Sequence, residues 1–310
     1  MIGVDFTGRL GNQLFTYAFA RYLLERRHND GECLVANFKR TMNGEAEEGF
    51  GDSLCHFNVM PYKRTTEDLI LNHGSLTQRI IYLLYSAWRQ LPGFGDRSIA
   101  AVEQRLAHFG IFFNGTTRKT RCPNTLYNKN LFVRGFFQDH SFLHTLRPIL
   151  TNEFTPLLPP LAENRLLYEA ASRHNSVCVS VRRGDYLSDT YKKDFYVCTP
   201  AYFQKAFSLI CERVEHPVFI FFSDDIEWVR SNIPPPKGTE CYYESGHDPV
   251  WETLRLMYSC HHFIISNSTF AWWAQYLGRR DNKLVISPSR WFANPHWQSY
   301  LLDDNFIKVE

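Results

Sequence analysis

The sequence predicts two α/β domains with parallel sheets, joined near residue 155. Three observations carry this. Short apolar runs alternate with helical segments through the second half of the chain, and strands separated by helices need crossovers and so pair in parallel. The segment Thr155-Pro-Leu-Leu-Pro-Pro160 can continue neither a regular helix nor a central strand and reads as a linker between residues 1–154 and 161–310. A length of 310 residues is enough for two cores of ordinary size.

The elements follow in order. Ile2 to Phe6 is a short apolar strand and Gly8-Arg-Leu-Gly11 its turn. From Asn12 onward Leu14, Phe15, Ala18, Phe19, Tyr22 and Leu23 recur at helical spacing. Residues 40–52 are polar and glycine-bearing and read as a loop. Helices are expected over 65–90 and 98–109, then a strand over Leu131 to Phe137 that leads into Gln138-Asp139. Past the linker come a helix over 161–173, the strand Val177 to Val181, the helix Pro200 to Arg213 and the strand Val218 to Phe222. A short helix at 225–231, the strand Cys241 to Tyr243 and a helix at 249–259 follow. The strand His262 to Ile265, the helix 269–277 and the strand Leu284 to Ile286 complete the alternation. Ligands of such sheets sit beyond the carboxyl ends of the strands.

Composition narrows the function classes. Hydrophobic residues at 44% and charged residues at 21% fit a folded chain and exclude a disordered one. A net charge of +2 supplies no global field for nucleic acid or an anionic membrane, so no nucleic-acid partner is expected and a bound anion must meet local positive charge. The cysteines include no C-x-x-C. Cys178, Cys211 and Cys260 lie in apolar or helical runs and read as reduced, buried thiols. Cys260-His261-His262 is a single cluster without a second ligand set, and no metal or other cofactor is expected. The chain opens on a strand and not on a secretory leader. Its longest apolar stretch, Ile80 to Trp88, falls short of the roughly 20 residues of a membrane span. The expectation is a cytoplasmic protein with scope for peripheral association at the inner membrane face.

Four polar sequences stand at strand ends. In Val181-Arg182-Arg183-Gly184-Asp185-Tyr186, two adjacent guanidinium groups call for compensation. Asp185 can supply part of it, and a phosphate the rest, because the guanidinium fork grips phosphate oxygens; a solvated salt-bridge cluster is the plainer alternative. Ser223-Asp224-Asp225 is, on its own, a helix cap with acids in the first turn; the functional alternative is a carboxylate for a base or ribose. Ser266-Asn267-Ser268-Thr269-Phe270 sits at a strand-to-helix junction, where hydroxyls, backbone N–H groups and the helix dipole combine into an anion site or, again, a cap. Trp272 and Trp273 behind it read as core. Gly8-Arg9-Leu10-Gly11-Asn12-Gln13 allows close backbone approach at Gly8 and Gly11. It matches neither the dinucleotide fingerprint nor a Walker loop, and it puts Asn12 at a helix N-terminus.

Taken together these segments resemble glycosyltransferase family eleven, the α-1,2-fucosyltransferases, nearly end to end. The anchors are GRLGNQLFTYAFARYL at 8–23, RGFFQD at 134–139, VRRGDYLSD at 181–189, FFSDDIEWV at 221–229 and ISNSTFAWWAQYLG at 265–278. The resemblance implies a GT-B-like architecture, two Rossmann-like α/β domains facing a cleft, with the acceptor on residues 1–154 and the donor on 161–310. It implies an inverting galactoside α-1,2-fucosyltransferase, a GDP-fucose donor, a galactose-terminated oligosaccharide or glycolipid acceptor, and no essential metal.

Carried over by motif, Arg182 is expected to hold the donor diphosphate and Asn12 to reach the fucose–phosphate region. Asp185 is a candidate base, though a carboxylate beside two arginines is a weak one. The expected donor-binding positions are Gly11, Gln13, Arg183, Asp224, Asp225, Asn267, Ser268, Thr269 and Phe270. Asp224 or Asp225 would meet guanine or ribose, and Ser268 and Thr269 the phosphates. Segments 40–52 and 110–130 are expected to shape the acceptor pocket. In one departure, Ser180 stands where the family usually has a histidine near the guanine. Two alternatives stay open, an α-1,6- or protein O-fucosyltransferase and a non-catalytic nucleotide- or glycan-binding protein. The SNSTFAWW run and the RRGDY form favour the α-1,2 class over the other fucosyltransferases.

Overall fold

The structure, a computed structural model, describes residues 1–27, 32–39, 51–93, 95–124, 126 and 128–310. Of the loop expected at 40–52, only Gly51 and Asp52 lie within the described residues. The chain forms two compact units, Met1–Phe154 and Thr155–Glu310. Each is a parallel sheet with helical crossovers, the kind of α/β unit from which GT-B-like chains are built.

The first unit runs β1 (Ile2–Asp5), α1 (Leu10–Arg27), β2 (Leu34–Asn37), β3 (Tyr62–Thr65), α2 (Leu69–His73), α3 (Leu76–Arg89), α4 (Asp96–Leu106), β4 (Ile111–Asn114), β5 (Leu131–Gly135) and α5 (Arg147–Glu153). The strand order is β3-β2-β1-β5-β4, every neighbour parallel. Helix α1 is buried on most sides. Phe19 stacks on Phe137 at 4.2 Å between ring centroids, with Phe112 and Phe142 edge-on to it. Rings buried in this way contribute roughly 1.5–3 kcal/mol each.

Two expectations here are corrected. Helix α1 starts at Leu10, because the Arg9 carbonyl already accepts from the N–H groups of Asn12 and Gln13; Asn12 thus lies inside the first turn and not at its cap. The helix expected over 65–90 is strand β3 followed by two helices. The break falls at Gly74-Ser75, where a Cβ on Gly74 would stand 2.4 Å from the Ile70 carbonyl oxygen. Ser75 and Gln78 close a reciprocal capping box that opens α3, a signal written in the sequence as S-x-x-Q. Strands β2, β3 and β4, four residues each, were not among the expected elements.

The second unit runs α6 (Arg165–Ala171), β6 (Ser176–Val181), α7 (Lys192–Phe195), α8 (Pro200–Cys211), β7 (Val218–Ser223), α9 (Ile226–Asn232), β8 (Glu240–Tyr243), α10 (Val250–Ser259), β9 (His262–Ile264), α11 (Thr269–Leu277), β10 (Val285–Pro288) and β11 (Ile307–Val309). The strand order is β11-β10-β9-β6-β7-β8. The chain lays β7 and β8 on one side of β6, then crosses back to lay β9, β10 and β11 on the other. This is the doubly wound order of a Rossmann sheet, and its switch point lies between β6 and β9. All six residues of β6 are buried, as a central strand covered on both faces requires. Phe203, Phe207, Phe219, Phe221 and Ile264 fill one face of the sheet. Trp272 and Trp273 are core, as expected, and the Trp272 indole N–H donates to the Leu301 carbonyl at 2.8 Å. Cys178 and Cys260 are buried thiols, but Cys211 is exposed. It closes α8 one position past Ile210, off the stripe made by Phe203, Phe207 and Ile210.

His262 is buried at the start of β9, and its Nδ1 accepts from the Leu284 N–H at 3.1 Å. Burial, with the neighbouring charge of His261, pushes its pKa down from 6.5 to about 4. Protonation would also destroy the Leu284 bond. The unfolded chain recovers the ordinary value and binds the proton first, so stability is present above about pH 6.5 and lost as the pH falls towards 4. Screened by the solvent that still reaches the ring, the loss should be on the order of 1–2 kcal/mol. Urea midpoints measured from pH 7.5 to 4.5 should fall more steeply for the native chain than for His262→Asn; equal slopes would refute the assignment.

Candidate active site

The parallel register of β6 and β7 builds the centre of the candidate site. Val181 pairs with Ser223, so the next two residues of each strand end, Arg182-Arg183 and Asp224-Asp225, leave the ladder side by side. They pair in that order. Arg182 Nη1 lies 2.8 Å from Asp224 Oδ2, and Arg183 Nε lies 3.0 Å from Asp225 Oδ2. Asp224 also accepts from the Arg183 main-chain N–H at 2.9 Å, which fixes the turn. A Cβ on Gly184 would come within 2.4 Å of Asp224 Oδ2, so only glycine permits this approach. The second fork of Arg182, Nη2, meets Asp185 Oδ1 at 2.6 Å. Burial works against the Arg182 charge, but Asp224 and Asp185 outweigh it and raise its pKa. The Arg183 guanidinium lies 3.2 Å from the centre of the Trp228 ring.

The Ser266–Phe270 turn stands at the other side of the switch point. The Ser266 N–H donates to the Ser180 carbonyl at 3.2 Å, tying the end of β9 to β6. Tyr186 lies under Arg182 and donates its hydroxyl to the Asn267 carbonyl at 3.0 Å, so the arginine turn and the helix start are linked directly. Ser268 is the N-cap residue of α11, but its hydroxyl makes no capping bond. Thr269 and Phe270 form the first helical turn and are half-buried. The Ser266 hydroxyl is buried without a hydrogen-bond partner. The arrangement can hold an anion between a guanidinium and a helix N-terminus.

The structure gives several of the expected donor contacts different work. Asn267 turns inward: its amide donates to the carbonyls of Phe195 and Trp291, both at 2.8 Å, and it is 2% exposed. It positions the turn and has no amide hydrogen left for a ligand. Asp225 caps α9 by accepting from the Trp228 N–H, which is the cap read from the sequence, and it carries Arg183 as well. Asp224 is a clamp on the arginine turn.

In the first unit, the switch point lies between β1 and β5, where Asp5 pairs in register with Arg134 and accepts from its Nε at 2.7 Å. Just beyond, Gln138 Nε2 donates to Asn12 Oδ1 at 3.0 Å, bringing together the loops that follow the two strands. The Asn12 Nδ2 end lies over Gly8, where a Cβ would stand 2.5 Å away. Gln13, expected to bind the donor, is fully buried. Its amide is spent on the Gly8 and Gly51 carbonyls and the Ser53 N–H, because it occupies the inner face of α1. Gly11 is buried in the same turn. Sequence reasoning did not single out Gln138, Tyr186 or Trp228, although each lies within a quoted motif; their signal is proximity in the fold. Among the described residues no group of three or more His, Cys, Asp or Glu side chains is gathered as a metal would require, and no helix is long and apolar enough to cross a membrane.

The sequence matches the family model described as Glycosyl transferase family 11 over residues 108–307. It is 28% identical to an Escherichia coli protein named O-antigen biosynthesis glycosyltransferase WbnK, across 98% of both chains. It is 30% identical to an Escherichia coli α-1,2-colitosyltransferase, over 57% of this chain and 61% of that one. It is 34% identical to galactoside α-(1,2)-fucosyltransferase 1 of Saimiri sciureus, over 58% of this chain and 48% of that one. The chain thus spans nearly all of the first of these proteins and about half to three-fifths of the other two.

The different work of two neighbouring residues is measurable. Asn267→Ala leaves two buried carbonyls without donors and should cost about 2–4 kcal/mol in urea unfolding. Ser268→Ala removes a hydroxyl that makes no cap bond and should cost under about 0.5 kcal/mol, less than the loss of a working cap. Equal losses would show that the turn is held differently.

Proposed function

Because the chain belongs to glycosyl transferase family 11, we propose that this glycosyltransferase moves L-fucose from GDP-β-L-fucose to the 2-hydroxyl of a terminal β-galactoside, with inversion. The observation that carries the reading is the clamped Arg182 at the β6/β9 switch point, tied through Tyr186 to the N-terminus of α11. A nucleoside diphosphate needs that combination: a guanidinium for the bridging and terminal oxygens, and helix N–H groups for the rest. Relatives named as galactoside α-(1,2)-fucosyltransferases support the donor and the linkage.

The chemistry follows from charge. The acceptor oxygen attacks the anomeric carbon as the bond to the β-phosphate breaks, and the electron pair leaves with GDP. Negative charge grows on that phosphate, where Arg182, held rigid by Asp224 and Asp185, stabilises it without having to reorganise. Asp185 is 43% exposed and takes the acceptor proton, or hands that role to the departing phosphate. Ser268, Thr269 and Phe270 lie at the helix start that would face the phosphates, and Arg183, on Trp228, adds positive charge beside them. Asn12, oriented by Gln138, is assigned to the sugar–phosphate linkage. A fall in kcat for Asn12→Ala with GDP affinity retained would support that role, and lost stability alone would reject it. In the first unit, a small pocket lined by Glu103, Phe113, Asn114, Arg118 and Arg121 overlaps the segment expected to receive the acceptor.

A second donor is worth testing. The relative named as an α-1,2-colitosyltransferase makes colitose the alternative to fucose.

The reading is tested by mixing the protein with GDP-fucose and a panel of β-galactosides and determining the new linkage by NMR. The expected product is α-1,2-linked. A 3-, 4- or 6-linkage, or transfer to Ser or Thr, would reassign the acceptor, and no GDP release with any acceptor would make the protein a binder. Arg182→Ala should lower kcat on the order of a hundredfold or more with the fold intact. Lysine should rescue poorly for want of a bidentate fork.

Gly184→Ala tests the clamp without touching the arginine. The added methyl must displace the Asp224 carboxylate from Arg182. Turnover should fall about tenfold or more at nearly unchanged melting temperature. Unchanged kcat would show that Asp224 does not position Arg182.

A further inference from the structure

Helix α3 shows an apolar face to the outside in addition to the one it packs inward. A surface helix normally buries its apolar stripe and shows its polar one. Here Leu76, Ile80, Leu83, Leu84 and Leu91 are 48–75% exposed, and their spacing puts them along one face of the helix and its extension. The inner side packs Ile81, Tyr82 and Tyr85 against the apolar cluster that includes Leu69, Ile70 and Phe132, and adds polar anchors. Gln78, 2% exposed, donates to the carbonyls of Phe109 and Asn130 at 2.8 and 2.9 Å. The Tyr82 hydroxyl donates to Asp68, and the Tyr85 hydroxyl to Glu103. The helix is therefore fixed to the first unit while its leucines face outward. Contiguous exposed apolar surface of this kind marks an interaction site.

Charge says what covers it. From Leu69 to Leu91 the sequence contains no Asp or Glu, and Arg79 and Arg89 are both exposed. The Arg79 guanidinium is pinned across the carbonyls of Gly74 and Asn72, and Trp88 sits half-buried beside Arg89. Leucines flanked by arginines, with an interfacial tryptophan and no carboxylate, are the composition of a helix that lies in the headgroup layer of an anionic bilayer. At 14 residues, α3 is about 21 Å long, too short to span the roughly 30 Å hydrocarbon core. We propose that the exposed face of α3 is a docking surface for a membrane rich in anionic lipid, with Leu76, Ile80, Leu83 and Leu84 inserted and Arg79 and Arg89 at the phosphates.

The experiment is co-sedimentation of the full chain with vesicles of phosphatidylcholine alone or with about 30% phosphatidylglycerol. The native protein should partition at least about tenfold more strongly into the anionic vesicles. The double substitution Leu83→Glu with Leu84→Glu should lose about tenfold or more of that binding. Both side chains are exposed, so its melting temperature and its GDP affinity should not change. Arg89→Glu should weaken binding to anionic vesicles only. Three results would overturn the proposal: no vesicle binding by the native chain, equal binding to both lipid compositions, or binding that survives the double substitution. A concentration-dependent dimer that the double substitution abolishes, in a protein that ignores vesicles, would reassign the face to a second copy. Since the readout is lipid binding and not transfer, the outcome is separate from that of the donor assignment.

Discussion

Two arginines leaving a fully buried strand must be compensated, and the rest of the second unit is arranged around that requirement. Desolvating a guanidinium is costly, and the cost is offset only when carboxylates stand at hydrogen-bonding distance in fixed geometry. The register of β6 on β7 meets this directly, because residues 182 and 183 face residues 224 and 225 as the ladder ends. A slip of one residue would send alternate side chains to the opposite face and break both pairs together. Apolar packing of Phe219 and Phe221 against α8 therefore does more than stabilise a core: it holds the register that holds the charges.

The same solution recurs in the first unit with the signs exchanged. Asp5 ends β1 and Arg134 lies on β5, in register and in contact, and the Arg134 guanidinium lies over the rings of Tyr82 and Phe113. In each sheet the ion pair stands at the carboxyl ends of central strands, the end at which α/β sheets bind ligands. In each, a glycine beside it cannot be replaced without moving a neighbouring polar side chain: Gly184 against Asp224, and Gly8, with a positive φ of 71°, against Asn12. Catalytic precision in such a protein rests on strand ends that are rigid because the layers beneath them are packed.

The outward face of α3 stands apart from this logic. Its exposed leucines contribute little to the core of the first unit, and its anchoring falls to the packing of Ile81, Tyr82 and Tyr85 and to the hydrogen bonds of Gln78 and the two tyrosines. A chain with a net charge of only +2 has no global attraction for an anionic surface. Local composition replaces it: a 23-residue stretch without an acid, carrying two exposed arginines, creates a positive apolar patch that the overall charge conceals.

The sequence alone determined the alternation of strands and helices past residue 160, the buried Trp272 and Trp273, the cap at Asp225 and the family, because these depend on local periodicity or on contiguous motifs. It also held signals that periodicity overrode, such as the Ser75–Gln78 capping box inside what reads as one long helix. What it could not determine was the direction in which polar side chains point. Gln13 and Asn267 look like ligand contacts in their motifs, yet both amides are consumed by main-chain groups distant in sequence, at Gly51 and Ser53 for one and at Phe195 and Trp291 for the other. The pairing of Arg182 with Asp224 across 42 residues, the hold of Gln138 on Asn12 across 126, and the outward turn of the α3 leucines were likewise decided only by the tertiary structure. The physical reason is the same each time. A hydrogen bond or an apolar contact is made with whatever the fold brings near, and nearness between distant residues is a property of sheet order and register, which no local pattern encodes.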